Sequence, residues 1–403
     1  MTFYKDMYDR TLELGVTKLA NGSVDGKVVG PRIGTGGEFS GIFLWDTAFC
    51  IFWMRYHQDI FPCAVSLDNF YRLQEEDGCI HRQYDREGEP VWPGNHPITF
   101  APPLLAWAEL GLHEISPDTQ RLKRVYPHLK AHYEWCERNW RKPNGLYFGD
   151  ALGAGMDNLP RYPRDFNGSD KAIPLEGKKI PGGYGVAVWG SQWNRQGSFI
   201  DMSAQVTFNA MNMAKICELT GHQDRAHWTD EYNTMKALVH EKCWSHEHAF
   251  YFDLDDADTP IERFHIGGFW PLIAGICPDD ELPRYLEHLK DEKTFNRPFP
   301  IPCLSADDPD YKSGGSYWLG SSWPCTTYMV LKGLEAYGQR SLSKEIAEKY
   351  FKGLEQVFRE TGTIWENNAP ETITKGSQAG PDFCGWSGLG PVAVVREFLQ
   401  SEI

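Results

Sequence analysis

Apolar residues recur along most of this chain at helical spacing, with polar residues between them. In "DMSAQVTFNAMNMAKICELTG", one predicted helical face carries Met202, Val206, Met213, Ile216 and Cys217. Gly221 follows as a helix stop, and Pro324 lies in the first turn of a second such stripe. The pattern therefore predicts a chain built mainly from amphipathic helices.

Twelve segments carry this pattern. They run over about 3–20, 46–58, 61–75, 100–112, 118–139, 199–220, 223–243, 265–276, 281–290, 322–337, 343–359 and 386–402. Loops rich in Gly, Pro and Trp separate them, and the pieces "GLYFGD" and "AFYFDLDD" are predicted to form small hairpins. About twelve helices with long loops between alternate pairs suggest an all-α fold, an (α/α)6 toroid, in which two rings of helices surround one cavity. We expect a single domain over 1–403.

Composition and charge narrow the function classes. The 403 residues carry a net charge of −15, which disfavours binding to nucleic acid or to anionic membranes. No segment reaches the ~20 apolar residues that a membrane span needs, and the N-terminus lacks a signal-peptide pattern. The ten cysteines are scattered without a C-x-x-C pair, which predicts buried thiols in a reducing, cytoplasmic setting.

Several acidic residues lie in aromatic or glycine-rich stretches, although a hydrophobic core disfavours unpaired carboxylates. Asp46 lies in "GIFLWDTAF", Asp157 in "GMDNLPR", and Glu366 and Glu371 in "IWENNAPE". Asp46 is expected either to cap the following helix or to accept hydrogen bonds from ligand hydroxyls. Paired loop carboxylates are also what glycosidic hydrolysis needs, since one donates a proton while the other activates water.

Several motifs, in order along most of the chain, resemble those of one enzyme group. They are "LWDTAF", "DGCIHRQY", "HPITFAPPLLAWA", "GMDNLPRY", "YWLGSSWPCTTYMVLKGL", "WENNAPET" and "FCGWSGLG". Together they resemble the α/α-toroid glycoside hydrolases of family 63, which include processing α-glucosidases and mannosylglycerate or glucosylglycerate hydrolases, and their trehalase relatives.

The resemblance implies roles for individual residues. Asp157 would be the general acid and Glu366 the general base of an inverting hydrolase that acts on an α-glucoside or α-mannoside, with a carboxyl separation of roughly 6.5–9.5 Å. Glu371 ranks second as base. Substrate-binding positions would be Trp45, Asp46, Arg82, Asn158, Arg161, Trp318, Trp323, Glu371 and Trp386. For Arg161 a structural salt bridge is an equally weighted alternative.

Some positions depart from the family pattern. Leu319 replaces the arginine of Y-W-R-G, Asn95 and His96 replace T-Q, and Asn368 replaces the tyrosine of E-N-Y. The sugar specificity of well-known members therefore does not transfer. The length resembles the compact bacterial members, which act on small glycosides, so we expect a small-molecule or oligosaccharide substrate.

Other functional signals are weaker. No cofactor is expected: Ca²⁺ is possible at the acidic turn of Asp253, Asp255, Asp256 and Asp258, but a solvated turn is favoured. The absence of H-x-x-H or H-E-x-x-H argues against zinc, and no phosphate-binding loop is present. Trp189 and Trp193 lie in a glycine-rich stretch that is either a mobile lid or a packed loop.

Two other function classes stay open. A sugar 2-epimerase has a similar toroid but would use histidine acid–base pairs. A glycan-binding protein would use the same tryptophans without turnover.

Overall fold

The computed structural model describes residues 2–36, 39–91, 101–149, 153–161 and 197–399. These residues form twelve helices, numbered in chain order. They are α1 Thr2–Thr17, α2 Leu44–Met54, α3 Cys63–Arg72, α4 Leu105–Ile115, α5 Thr119–Trp140, α6 Ile200–Thr220, α7 Arg225–Cys243, α8 Trp270–Ile273, α9 Leu282–Lys290, α10 Pro324–Ala336, α11 Arg340–Thr361 and α12 Gly390–Leu399, the last with π-type hydrogen bonding. Within the described ranges, no helix is both long and apolar enough to cross a membrane.

Burial alternates along the chain. The even-numbered helices are buried over most of their surface, and every residue of α2 is buried. The odd-numbered helices bury a single face; α11, for example, buries only 7 of its 22 residues. Because a helix that is covered on all sides must lie inside, the even-numbered helices form the inner ring.

The inner ring closes on itself. Contacts run from α2 to α4, α6, α8 and α10 in turn, and from α10 to the 3₁₀ turn Trp386–Leu389 that leads into α12. That turn packs back against α2. The outer helices α3, α5, α7 and α11 each contact an inner helix that is next to them in the sequence. Helix α1 closes the outer layer by contacting α11 and α12. The fold is the predicted (α/α)6 toroid.

Within the described ranges, eight two-residue strands pair antiparallel in the loops. The pairs are β1 Ile42–Phe43 with β2 Gln83–Tyr84, β3 Trp244–Ser245 with β4 Phe250–Tyr251, β5 Asp253–Leu254 with β6 Pro260–Ile261, and β7 Asn368–Ala369 with β8 Thr374–Lys375. Three of the four pairs are hairpins, and β1 and β2 are joined through α2 and α3. The prediction at "AFYFDLDD" is confirmed by β4 and β5. "GLYFGD" forms no ladder of its own within the described residues, but Tyr147 makes an isolated bridge to Arg141.

Three local predictions can be compared with the structure. Gly221 ends α6 in the left-handed conformation, with φ 67°, as expected of a C-terminal glycine. All five residues predicted for one face of α6 are buried, but burial extends beyond that face, to 15 of its 21 residues. The cause is its inner-ring position, where polar residues such as Ser203 and Thr207 are buried with their hydroxyls bonded to backbone. All ten cysteines are buried free thiols.

Candidate active site

Loops that lead into the N-terminal ends of inner helices carry the candidate site. Trp45 and Asp46 lie in the first turn of α2. Asp157 lies in the connection between α5 and α6, and Glu366 and Trp386 lie in the connection that precedes α12. Because inner helices alternate with outer ones, these loops emerge at the same end of the ring, which explains how distant positions share one site.

Arg82 is placed beside α2 by the antiparallel pairing of β1 with β2. The Leu44 N–H donates to the Arg82 carbonyl at 2.9 Å, where β1 passes into the helix. The Arg82 guanidinium lowers the pKa values of both Asp46 and Asp157. The structure therefore brings two predicted site carboxyls, Asp46 and Asp157, close to this cation.

Asp46 is the third residue of α2 rather than its cap. The N-cap position belongs to Phe43, whose side chain makes no capping bond, so the capping alternative for Asp46 is wrong. Burial is the main cause that raises the pKa of Asp46 to about 8, and the negative charges of Glu366 and Asp157 raise it further. At neutral pH this carboxyl is mostly protonated.

Asp157 sits on a tight turn that lies over Trp45. Gly155 has φ 75°, and a Cβ there would lie 3.5 Å from the Trp45 indole, so the backbone approaches the ring closely. The Asp157 side chain is half-buried. Burial raises its pKa to about 6, while Arg82 and its own backbone amide lower it.

Asn158 fastens this turn to the loop before α10. Its Nδ2 donates to the Ser316 carbonyl at 3.2 Å, and its Oδ1 accepts from the Trp318 N–H at 2.7 Å. Both ends of the amide therefore bind protein backbone. The predicted substrate contact of Asn158 is replaced here by a contact that holds the Asp157 turn in place.

Arg161 anchors the other end of the same turn. It is 1% exposed and donates two hydrogen bonds to Asp201, at 2.8 and 2.7 Å, and two to Asp253, at 2.8 and 2.7 Å. Its guanidinium also lies 3.8 Å from the centre of the Phe199 ring. His265 Nε2 lies 3.1 Å from Asp253, which completes a buried network. This geometry favours the structural salt bridge over ligand binding.

Glu366 is buried in the connection between α11 and α12. Burial raises its pKa to about 7, and the negative charge of Asp157 contributes to the rise. Hydrogen bonds from the Gly380 N–H, at 3.2 Å, and from the Tyr317 hydroxyl hold the carboxylate and lower its pKa. Tyr317 has φ 59°, an unusual backbone conformation for a non-glycine residue that often marks a functional position.

The tryptophans divide into two groups. Trp318 and Trp323 stack face to face, with ring centroids 4.0 Å apart and planes 3° apart, and they are 1% and 0% exposed. They stack inside the core, and direct contact of either ring with substrate stays a prediction. Trp386 lies beside Glu366, since its Nε1 donates to the Glu366 backbone carbonyl at 3.3 Å. Trp45 lies under the Asp157 turn.

Glu371 lies apart from these carboxylates. Arg297 donates two hydrogen bonds to it, at 2.6 and 2.7 Å, and the Tyr311 hydroxyl donates a third at 2.7 Å. The bond from Arg297 is the main cause that lowers its pKa. A carboxylate held so tightly is a poor proton acceptor, so the geometry favours Glu366 over Glu371 as the base.

The acidic turn after β5 does not gather its carboxylates. Asp253 pairs with Arg161, Asp255 accepts from two backbone N–H groups of its own turn, and Asp258 accepts from Asn144. Within the described residues these four aspartates form no group able to hold a metal ion. Asp253 is buried, whereas Asp256 and Asp258 are exposed, so the tip of this segment is its solvated part.

Sequence reasoning missed the groups that hold the site together. Asp201, Asp253 and His265 surround Arg161, and Tyr317 bonds Glu366. Tyr317 stands inside the quoted motif "YWLG", so its motif position was an available signal. The predicted lid residues Trp189 and Trp193, like Asn95 and His96, lie outside the described residues.

Comparison with known proteins decides the family. The sequence profile of the mannosylglycerate hydrolase MGH1-like glycoside hydrolase domain matches residues 41–387, which is most of the chain. The chain belongs to this family. The resemblance to family 63 is thereby confirmed.

Individual relatives are similar to this family member over most of its chain. A probable mannosyl-oligosaccharide glucosidase of Schizosaccharomyces pombe is 24% identical, over 79% of this chain and 39% of its own length. An uncharacterized protein of Borreliella burgdorferi is 26% identical, over 79% of this chain and 62% of its own length. The chain thus spans less than two thirds of these curated relatives.

A solved structure supports the fold of this family member. The family 63 mannosylglycerate hydrolase of Thermus thermophilus, in complex with glucose, superposes with a TM-score of 0.75. The alignment covers 98% of this chain and 100% of that one at 19% identity. At that identity the likeness establishes the shared toroid and leaves specificity to be argued from the site.

Proposed function

We propose that this protein is an inverting glycoside hydrolase that cleaves an α-glycosidic bond in a small glycoside or oligosaccharide. The observation that carries the proposal is the pairing of Asp157 and Glu366. These residues are 209 positions apart (366 minus 157) in the sequence, yet the charge of one raises the pKa of the other. Both pKa values stand near neutrality, where acid–base catalysis needs them.

In the proposed mechanism Asp157 protonates the glycosidic oxygen as the bond from that oxygen to the anomeric carbon breaks. Glu366 takes a proton from a water molecule that attacks the same carbon from the opposite face. The Gly380 N–H and the Tyr317 hydroxyl orient the Glu366 carboxylate toward that water. A water needs room, so we expect the two carboxyl groups to lie roughly 6.5–9.5 Å apart. No hydrogen bond joins them in the described part of the chain, which agrees with such a gap.

Asp46, Arg82, Trp45 and Trp386 are proposed to line the sugar subsite. Asp46 is mostly protonated at neutral pH, so its carboxyl both donates and accepts hydrogen bonds. Sugar hydroxyls have the same dual character, and a neutral acid here adds no negative charge beside Glu366. The family and the relatives described above support an α-glucoside or an α-mannoside as the substrate class.

In the substrate-free protein, the order of the two pKa values is the reverse of the one that the proposed roles need. Without substrate, the pKa of Glu366 is about 7 and that of Asp157 about 6, so a single shared proton favours Glu366. The proposed mechanism needs that proton on Asp157. The two groups titrate as a coupled pair, so both singly protonated forms are populated and the reactive one need not dominate.

Asp157→Asn and Glu366→Gln separate the roles when they are assayed on two substrates. Both variants should lose turnover on an alkyl glycoside, whose leaving group needs a proton. On an α-glycosyl fluoride, whose leaving group needs little protonation, Asp157→Asn should retain substantial turnover and Glu366→Gln should not. Circular dichroism checks that both variants fold, and full activity of either on the alkyl glycoside would refute its role.

The other two function classes are distinguished by the product. NMR of the first product should show the β-anomer of the released sugar, as inversion requires. An epimer without cleavage would indicate an isomerase, and binding without any product would indicate a glycan-binding protein. Among the described residues, no histidine contributes to the pKa shifts of Asp46, Asp157 or Glu366, which disfavours a histidine-based isomerase.

A further inference from the structure

We propose that Glu75, Cys79 and His81 form a binding site for a divalent transition-metal ion such as Zn²⁺, separate from the glycosidase site. One ligand atom from each residue, a carboxylate oxygen, the thiol sulfur and an imidazole nitrogen, lies within 4.8 Å of the other two. His81 Nε2 and Glu75 Oε1 are already 2.6 Å apart. Within the described ranges this is the one group of three such side chains that gathers in this way.

The turn that carries these residues is rigid. The Glu75 N–H donates to the Cys79 carbonyl at 2.9 Å, and the Cys79 N–H donates to Asp77 at 2.9 Å. Gly78 has φ 96°, and a Cβ there would lie 2.4 Å from the Ala131 carbonyl oxygen, so the turn is pressed against α5. These contacts therefore fix the backbone of Glu75 and Cys79, while the Glu75 side chain stays adjustable.

The donor set suits zinc. Zn²⁺ prefers thiolate, imidazole and carboxylate ligands in a tetrahedral arrangement, with Zn–S and Zn–N bonds that place neighbouring ligand atoms about 3.5 Å apart. Cys79 and His81 are buried, while the Glu75 side chain is 46% exposed and has room to move. Closing the triad around an ion therefore requires an adjustment of about 1 Å, in which Glu75 exchanges its bond to His81 for a bond to the metal.

The fourth position is expected to hold water. The nearby His132 is not available as a ligand through Nδ1, since that atom accepts from the Ile80 N–H at 3.2 Å. Asp77 Oδ2 is also engaged, since it accepts a hydrogen bond from Trp135 Nε1 at 3.1 Å. The arrangement thus resembles a three-ligand site with one open position.

The spacing Glu-x₃-Cys-x-His contains a single histidine and so matches neither H-x-x-H nor H-E-x-x-H. It also places the metal ligand His81 directly before Arg82, the cation that faces Asp46 and Asp157. A bound ion would restrain the segment that positions Arg82.

Titration of the full-length chain with Co²⁺, after dialysis against a chelator, tests the proposal. Co²⁺ bound to a thiolate gives a charge-transfer band in the near ultraviolet, and we expect one equivalent to produce it and Zn²⁺ to abolish it. Cys79→Ser should remove the band, and Glu75→Gln, which alters an exposed side chain, should weaken binding at least about tenfold.

Cys136→Ser is the matched control. Cys136 is a buried thiol whose sulfur lies 4.0 Å from His132 Nε2, and it is not part of the triad. This variant should keep both the band and the affinity. The proposal is overturned if the unmodified chain gives no band and binds no Zn²⁺, or if Cys79→Ser and Glu75→Gln bind as tightly as it does. Neither result depends on glycosidase activity, so the two proposals fail independently.

Discussion

Activity should fall on both sides of about pH 6.5, because only the singly protonated Asp157–Glu366 pair can both donate and accept a proton. The pKa values of about 6 and about 7 place the optimum at their mean. At that pH roughly 60% of the pair carries one proton. Two pH units away on either side the fraction falls to about 3%, so kcat/KM should drop about twentyfold.

Replacing Arg82 by Gln tests the cause of these values. The Arg82 guanidinium lowers the pKa of Asp157 but does not contribute to that of Glu366. Its removal should raise the pKa of Asp157; a rise of about one unit, equivalent to about 1.4 kcal/mol, is typical for the loss of a nearby cation. The optimum is the mean of the two values, so it should move up by about half a unit.

The assay is kcat/KM against pH on a nitrophenyl glycoside, with Arg86→Gln as the control. Arg86 is an exposed arginine of the same loop that does not act on either carboxyl, so its variant should keep the parent profile. Asp46→Asn resembles the protonated form of Asp46, so its pH profile should still fall on both the acidic and the alkaline side. A profile that is flat from pH 5 to 8, or an optimum that Arg82→Gln leaves in place, would refute the reasoning.

Three further predictions concern the residues around the pair. Arg161→Met should cost about 3–5 kcal/mol of unfolding free energy in urea, because it removes the cation shared by two buried carboxylates and leaves Asp253, among the described residues, with His265 alone as a charged partner. The exposed Arg124→Met should cost less than about 1 kcal/mol. Tyr317→Phe should raise the pKa of Glu366, seen as a shift of the pH optimum to higher pH, with folding unchanged by circular dichroism. Glu371→Gln should keep kcat/KM within about tenfold; a loss of several hundredfold in a folded variant would instead make Glu371 the base.

Most of the fold was predictable because helical periodicity is a local property. The predicted helix 118–139 corresponds to Thr119–Trp140, and 281–290 to Leu282–Lys290. The predicted helix boundaries were wrong where tertiary packing overrides the local sequence pattern. The segment 265–276 is divided into a 3₁₀ turn and the short α8, and 386–402 begins with a 3₁₀ turn before α12.

Which side chains face the cavity was harder to predict. Trp318 and Trp323 were expected to bind substrate because nothing in their sequence neighbourhood distinguishes a stacked pair in the core from residues that line a cavity. Their mutual stacking at 4.0 Å depends on the turn before α10, which Asn158 holds from another loop. A contact between residues 160 positions apart leaves no periodic trace in either segment.

The loop "GMDNLPR" shows what a matching motif does and does not establish. Asn158 and Arg161 both match the family pattern, yet in this protein Asn158 binds the loop before α10, and Arg161 binds Asp201 of α6 and Asp253 of β5. Among the polar residues of the loop, Asp157 alone joins the electrostatic network of the other carboxyls. A chain could therefore retain most of the motif to hold its fold after losing catalysis. The combination that argues for hydrolysis is narrower: Asp157, Glu366 and the Arg82 charge that separates their pKa values. Substitution of those three, rather than the extent of the motif match, decides whether this member of the family is an active enzyme.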